Sequence, residues 1–271
     1  MCNDITIEMN DGFKLNAKHF KSEQCDKLII IASAMAVPSR KYEKFAKHCA
    51  ENGLSAVVFD FRGVESNSKN MKDASIEQWV DDIASLVDYF DDQYETVNYL
   101  GHSIGAQIFG LIPNYNKIAK TIFVCASTGT WWKSKPLALF LQAAFVMNVY
   151  IPLSNKLFGY TNTKLIKMGV NMPKTASSQW AKWCRSPNYI ESCRDDFSNY
   201  SHDKIAKNIL NITVTDDTIA TPKTNAELKA IYGNVNFDNH VIKAEKPIGH
   251  QGLFHSNNMQ HWGIAINWIK S

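Results

Sequence analysis

Short, almost purely apolar runs alternate along this chain with amphipathic stretches, and that rhythm constrains its fold more than any other feature. Residues 27–32 (KLIIIA), 55–61 (SAVVFDF), 97–100 and 121–126 lack polar alternation, the mark of strands buried on both faces. Between them the spacing predicts helices over residues 41–52, stopped at Gly53, over 75–90, and over 104–112, stopped before Pro113. In the second of these Ile76, Trp79, Val80, Ile83, Leu86, Val87 and Phe90 share one face. The rhythm resumes near Ile209 with the strand LNITVT, a helix over 222–232, the strand HVIKA and a terminal helix ending in Trp268. Strand–helix alternation with short connections predicts the α/β class, a mostly parallel central sheet with helices on both faces. The start differs: Ile5, Ile7 and Met9 alternate with polar residues, Asn10-Asp11-Gly12 turns, and Phe13, Leu15 and Ala17 resume. That is an antiparallel N-terminal hairpin.

Between residues 131 and 203 the rhythm breaks. This stretch holds four of the seven Trp (Trp131, Trp132, Trp180 and Trp183) and four of the eight Pro. It reads as a helical cap inserted after the sixth strand of a single domain, 1–271, whose core is 1–130 and 204–271. Within it, residues 137–151 (LALFLQAAFVMNVYI) are nearly all apolar but fall short of the roughly 20 residues a bilayer-spanning helix needs. Gln142 and Asn148 interrupt the run and Pro152 closes it, so the expectation is a helix buried against the sheet or lining an apolar pocket, with no membrane span.

Composition excludes several classes. A net charge of +3, from 29 Lys and Arg against 26 Asp and Glu, gives no electrostatic footprint for nucleic acid. Asp4, Glu8 and Asp11 stand where a secretory signal would need an apolar run. The six Cys (Cys2, Cys25, Cys49, Cys125, Cys184, Cys193) include no C-x-x-C, and the eight His no H-E-x-x-H. Reduced thiols, a cytoplasmic location and no metal or organic cofactor are the expectation.

The strongest local signal is Gly101-His102-Ser103-Ile104-Gly105, a G-x-S-x-G between a strand and a helix. A turn this sharp needs small residues two before and two after the Ser, and it lifts the hydroxyl clear of the sheet. A hydroxyl attacks only with a base oriented by a third group, and elbows of this kind take them in the chain order Ser, acid, His. The strand LNITVT runs into Asp216-Asp217, and HVIKA is followed by His250, between Gly249 and Gly252. Asp217 is favoured over Asp216, which would be an exposed or helix-capping carboxylate. His250 is favoured over His240, which opens a strand, and over His255 and His261, which lie farther from the strand end. Acyl transfer also needs two N–H donors for the oxyanion. Ile104, after the nucleophile, supplies one; Met35, in the loop Ser33-Ala34-Met35-Ala36-Val37, is the candidate for the other, its thioether covering the pocket.

These residues resemble the α/β-hydrolase superfamily over nearly the whole chain. SAMAVPSRKY (residues 33–42) is similar to the H-G-x-G…R-Y loop of the monoacylglycerol-lipase and serine-aminopeptidase-like branch, with Ser33 and Ala34 in place of His-Gly. FDFRGVES (59–66) is similar to that family's D-x-R-G-x-G-x-S turn, with Glu65 where Gly is usual, and Asp217-Thr218-Ile219 matches its acid turn. Residues 168–189 and IGHQGLF (248–254) resemble a bacterial group known mainly as predicted α/β hydrolases. The resemblance implies an α/β-hydrolase fold and a serine hydrolase. The expected substrate is a small carboxylic ester, with an apolar acyl or aromatic group held under the Trp-rich cap. The alternatives are an amidase or aminopeptidase, which would need a carboxylate for the free amine (Glu191, Asp195 or Asp196), an acyltransferase, or a ligand-binding relative. The oligomeric state stays open.

Overall fold

A computed structural model describes residues 1–24, 26–70, 72–133 and 136–271, so Cys25 and two residues of the segment 131–203 lie outside it. In chain order, strands β1 (Cys2–Glu8), β2 (Lys14–Phe20) and β3 (Lys27–Ala32) lead to helix α1 (Glu43–Glu51) and strand β4 (Ser55–Phe59). Helix α2 (Ile76–Asp91), strand β5 (Thr96–His102), the short helix α3 (Ile104–Gln107) and strand β6 (Ile118–Val124) complete the first half. Strand β9 (Asn208–Val214), helix α7 (Pro222–Ile231), strand β10 (Asn236–Ile242) and helix α8 (Trp262–Lys270) form the last quarter. Between β6 and β9 lie helices α4 (Leu137–Phe145), α5 (Ile151–Phe158) and α6 (Lys174–Cys184), with a small antiparallel pair β7 (Tyr160–Thr161) and β8 (Met172–Pro173).

The eight-stranded sheet runs β1-β2-β4-β3-β5-β6-β9-β10. The hairpin β1/β2 and the β2/β4 pair are antiparallel, and every other neighbour is parallel. This is the α/β-hydrolase fold, with an apolar core on each face of the sheet. On one face Trp79, Ile83, Leu86 and Val87 of α2 pack onto β3 and β5; on the other, Phe45 of α1 and Trp262 of α8 meet edge to face. A capping box between Ser75 and Gln78 starts α2.

Three elements depart from the sequence expectations, each for a physical reason. The helix expected over 104–112 stops after Gln107. The Tyr232 hydroxyl accepts the Gly110 N–H and donates to the Ala106 carbonyl, so it occupies the place of the next helical hydrogen bond. Strand β10 begins four residues before the expected HVIKA, so His240 lies within it rather than opening it. The apolar run beyond Pro136 does not end at Pro152. It continues as one helix of 22 residues, Leu137–Phe158, long and apolar enough to cross a membrane. A π-helical turn, Val146–Tyr150, precedes Pro152 and loosens the turn in which a proline ring would otherwise clash. Nor is this helix buried against the sheet. Its inner side, Val146, Met147, Ile151, Ser154 and Asn155, is covered by the protein, while its outer side is exposed.

Candidate active site

The parallel strands all deliver their carboxyl ends to one edge, and the reactive residues collect there. Ser103 follows β5 directly, with a left-handed backbone (φ 53°, ψ −109°) that a serine adopts only under constraint. The two flanking glycines explain the constraint. A Cβ on Gly101 would stand 2.5 Å from the Ala106 nitrogen, and one on Gly105 would stand 2.6 Å from the Ala32 carbonyl oxygen. No side chain fits either place.

Three loops then bring a hydrogen-bonded relay together. Ser103 Oγ lies 2.9 Å from His250 Nε2, and His250 Nδ1 lies 2.8 Å from Asp217 Oδ2. The other oxygen of Asp217 accepts the N–H groups of Ile219 and Ala220, both at 2.8 Å. Burial by itself would raise this carboxyl's pKa. The His250 hydrogen bond and charge, with the two N–H groups, outweigh that and hold it below the ordinary carboxylate range. Asp217 is therefore an anion facing the imidazole, able to fix its Nδ1–H tautomer.

Asp216 is exposed, as the sequence suggested, but it caps no helix. Its carboxylate accepts the N–H of Ile248 at 2.8 Å and of Gly249 at 3.0 Å, so it tethers the loop that presents His250. The rivals fall away from the relay: His240 is on the exposed edge strand, and beyond His250 the extended His255 separates two short 3-10 turns, the second of which ends at His261.

His102, the variable residue of the elbow, is fully buried and was not singled out from sequence. Burial and the neighbouring His250 push its pKa down to about 3, so the ring is neutral. It donates from Nε2 to the His250 carbonyl at 2.8 Å and accepts the Tyr42 hydroxyl at Nδ1, at 2.7 Å. Tyr42 in turn accepts the Ala34 N–H at 2.9 Å. One chain of bonds thus joins the loop after β3, the elbow and the histidine loop. It also uses up the Ala34 N–H. The N–H groups of Met35 and Ile104 have no hydrogen-bond acceptor among the described residues.

Ser103, His250 and Met35 line one cavity of about 330 Å³. Its other walls come largely from the inserted segment: Val146, Tyr150, Ile151, Met172 and Trp180. Of the four inserted tryptophans only Trp180 reaches it; Trp183 is core, and Trp131 and Trp132 pack edge to face at the start of the segment. Lys167 is its one charged wall residue among the described residues, and no carboxylate lines it there. Glu191 faces a different hollow, and Asp196 pairs with Lys182. Cys125 Sγ lies within 4.8 Å of ring nitrogens of His102 and His250. Burial and the nearby Asp217 charge push that thiol's pKa up.

Comparison with solved structures finds the same architecture at low identity. A soluble variant of monoglyceride lipase from Saccharomyces cerevisiae, solved with a substrate analog, superposes with a TM-score of 0.71 at 13% identity, over 100% of this chain and 94% of that one. DcsB in complex with its substrate analogue gives 0.69 at 12%, over 100% and 98%. The monoacylglycerol lipase of Paleococcus ferrophilus gives 0.63 at 14%, over 94% and 98%. No curated protein sequence matches. A family model does, the serine aminopeptidase S33 hydrolases, over residues 23–217, from the approach to β3 through the elbow to Asp217. On that match the chain belongs to the serine aminopeptidase S33 family of α/β hydrolases.

Proposed function

We propose that this protein is a serine hydrolase that cleaves carboxylic esters of apolar acyl or aromatic groups through an acyl-enzyme on Ser103. The observation that carries the reading is the Ser103–His250–Asp217 relay opening into a cavity walled by Val146, Ile151, Met172 and Trp180. Ser103 Oγ attacks the ester carbonyl carbon while His250 Nε2 takes its proton. The oxyanion that forms is met by the N–H groups of Met35 and Ile104, each such donor being worth about 10²–10³ in rate. His250 returns the proton to the leaving alcohol. Water then gives a proton to His250 and attacks the acyl carbon; the bond to Ser103 Oγ breaks, His250 returns the proton to that oxygen, and the acid leaves. Asp217 keeps Nδ1 protonated and stabilises the imidazolium at both stages. The segment 131–203 acts as the cap that excludes water from the acyl group.

The family's name raises the aminopeptidase alternative, and the cavity disfavours it. A free amino terminus needs an anion beside it, and the charged wall residue contributed by the inserted segment is the cation Lys167. A higher kcat/KM on an amide than on its matching ester would reverse this preference. The five described cysteines are free thiols, four of them buried, which suits a reducing, cytoplasmic setting.

Intact mass after incubation with a fluorophosphonate tests the chemistry. Wild type is expected to gain one adduct, Ser103→Ala none, and His250→Ala one only slowly. No adduct on folded wild type would overturn the hydrolase reading in favour of a ligand-binding relative.

A further inference from the structure

The outer side of the Leu137–Phe158 helix is unlike the rest of the surface. Leu137, Leu141, Phe145, Val149, Leu153 and Leu157 recur every four residues and are exposed by 70, 57, 52, 47, 50 and 65%. In a regular α-helix a stride of four drifts by about 40° per step; the wider π-helical turn at Val146–Tyr150 takes back part of that drift. Leu165 and Met168, on the loop after β7, are exposed as well. Isolated exposed leucines are ordinary, but a contiguous apolar band of this length marks an interaction surface.

Charge says what it meets. From residue 131 to 190 the chain carries eight Lys and Arg and no Asp or Glu, more than the whole molecule's net +3, so the remainder is net acidic. Lys156 on the helix and Lys167 on the following loop are exposed, and Lys164 on the same loop, exposed too, pairs with Glu65. A second copy would set two such cationic faces against each other. An anionic lipid surface offers both an apolar layer for the leucines and counter-charge for the lysines. The inner side of the same helix forms the cavity wall, through Val146, Tyr150 and Ile151, and Lys167 and Met168 belong to both cavity and surface.

We propose that the outer face of the Leu137–Phe158 helix, with the adjoining lysine-bearing loop, docks the protein on the surface of an anionic lipid bilayer, lying on it rather than crossing it. Crossing is opposed by the helix's inner side, where Asn155 bonds to Ser177, Ser178 and Thr161 and Ser154 to the Tyr160 carbonyl. The proposal stands on exposure and charge and does not require the ester reading, so its test needs no turnover.

Wild type and the double variant Leu141→Glu/Phe145→Glu, both outside the cavity wall, would be sedimented with vesicles of equal phosphatidylglycerol and phosphatidylcholine, and with phosphatidylcholine alone. Circular dichroism would check their folds, and sedimentation velocity their oligomeric state. Expected is binding of wild type to the anionic vesicles, weakened by added salt, with the double variant bound at least about tenfold less tightly. The absence of anionic-vesicle binding, or equal binding to both vesicle types, would overturn the proposal. So would a wild-type dimer that the double variant dissolves without any vesicle binding, since a second copy would then cover the face.

Discussion

Two adjacent carboxylates at the end of β9 serve one histidine by different routes. Asp217 touches the imidazole, whereas Asp216 holds the backbone of the loop that carries it. Their variants should therefore separate. Asp217→Asn reverses the tautomer preference at Nδ1 and is expected to lower kcat by about 10⁴. Asp216→Asn leaves the tautomer alone but loosens His250, and a displacement of about 1 Å costs on the order of 10². Steady-state kinetics on a short ester decides it, and equal losses in the two variants would contradict the division. The elbow and the two other relay positions were legible in the sequence because sharp turns and strand ends leave local marks: two glycines around Ser103, an acid after LNITVT, a His between glycines. The roles of Asp216, Tyr42 and His102 were not legible. Their partners are 32, 60 and 148 residues away, and no local spacing records such bonds.

Elements were legible wherever burial was two-sided or one-sided in a regular way. Strands β3 and β4 are apolar after their first residues, Lys27 and Ser55, because both faces are covered, and α2 shows its stripe because one face is. Strand β10 is an exposed edge whose early residues, Asn236, Asp238 and Asn239, disfavour strands, so its start was invisible. The end of α3 depends on Tyr232, more than a hundred residues away. One long-range pin was prefigured only as a motif. Arg62, in the FDFRG turn, is 2% exposed and bonds through Nε and Nη2 to Asp82 of α2, whose side chain is 0% exposed, while also reaching Asp11 in the hairpin turn. It ties β4, α2 and the N-terminal hairpin at one point. Breaking a buried pair leaves an uncompensated charge, so Arg62→Ala should destabilise the fold by about 3–5 kcal/mol. Asp11→Asn, whose side chain is half exposed, should change it by no more than about 1 kcal/mol. Urea denaturation of the two variants measures both, and a mild Arg62→Ala would mean that the pin is dispensable.

At the scale of the molecule, two fully buried histidines make stability depend on pH. Burial, with His250 nearby in the first case, pushes His102 down to about 3, and burial pushes His202 down to about 4. Both lie below the roughly 6.5 of an unfolded histidine. Between those values the unfolded chain binds protons that the folded one refuses, so stability is full above about pH 6.5 and declines as pH falls toward 4 and 3. Each group contributes a slope of at most about 1.4 kcal/mol per pH unit in its window. Half-buried His19, also lowered by burial, acts in the same direction. Asp217, held below the ordinary carboxylate range, adds a loss of the same sign only below about pH 4. His202 has a particular reason to stay neutral. Its Nε2–H donates to the Gln107 carbonyl at 2.8 Å, and its buried Nδ1 has no partner among the described residues, so a second N–H there would go unsatisfied. His202→Gln keeps a donor for that carbonyl and removes the titration. Its unfolding free energy, measured by urea denaturation from pH 7 to 4.5, should fall less steeply than that of wild type, by about one group's slope. An unchanged slope would mean that His202 is protonated in the folded protein and that its pocket tolerates the charge.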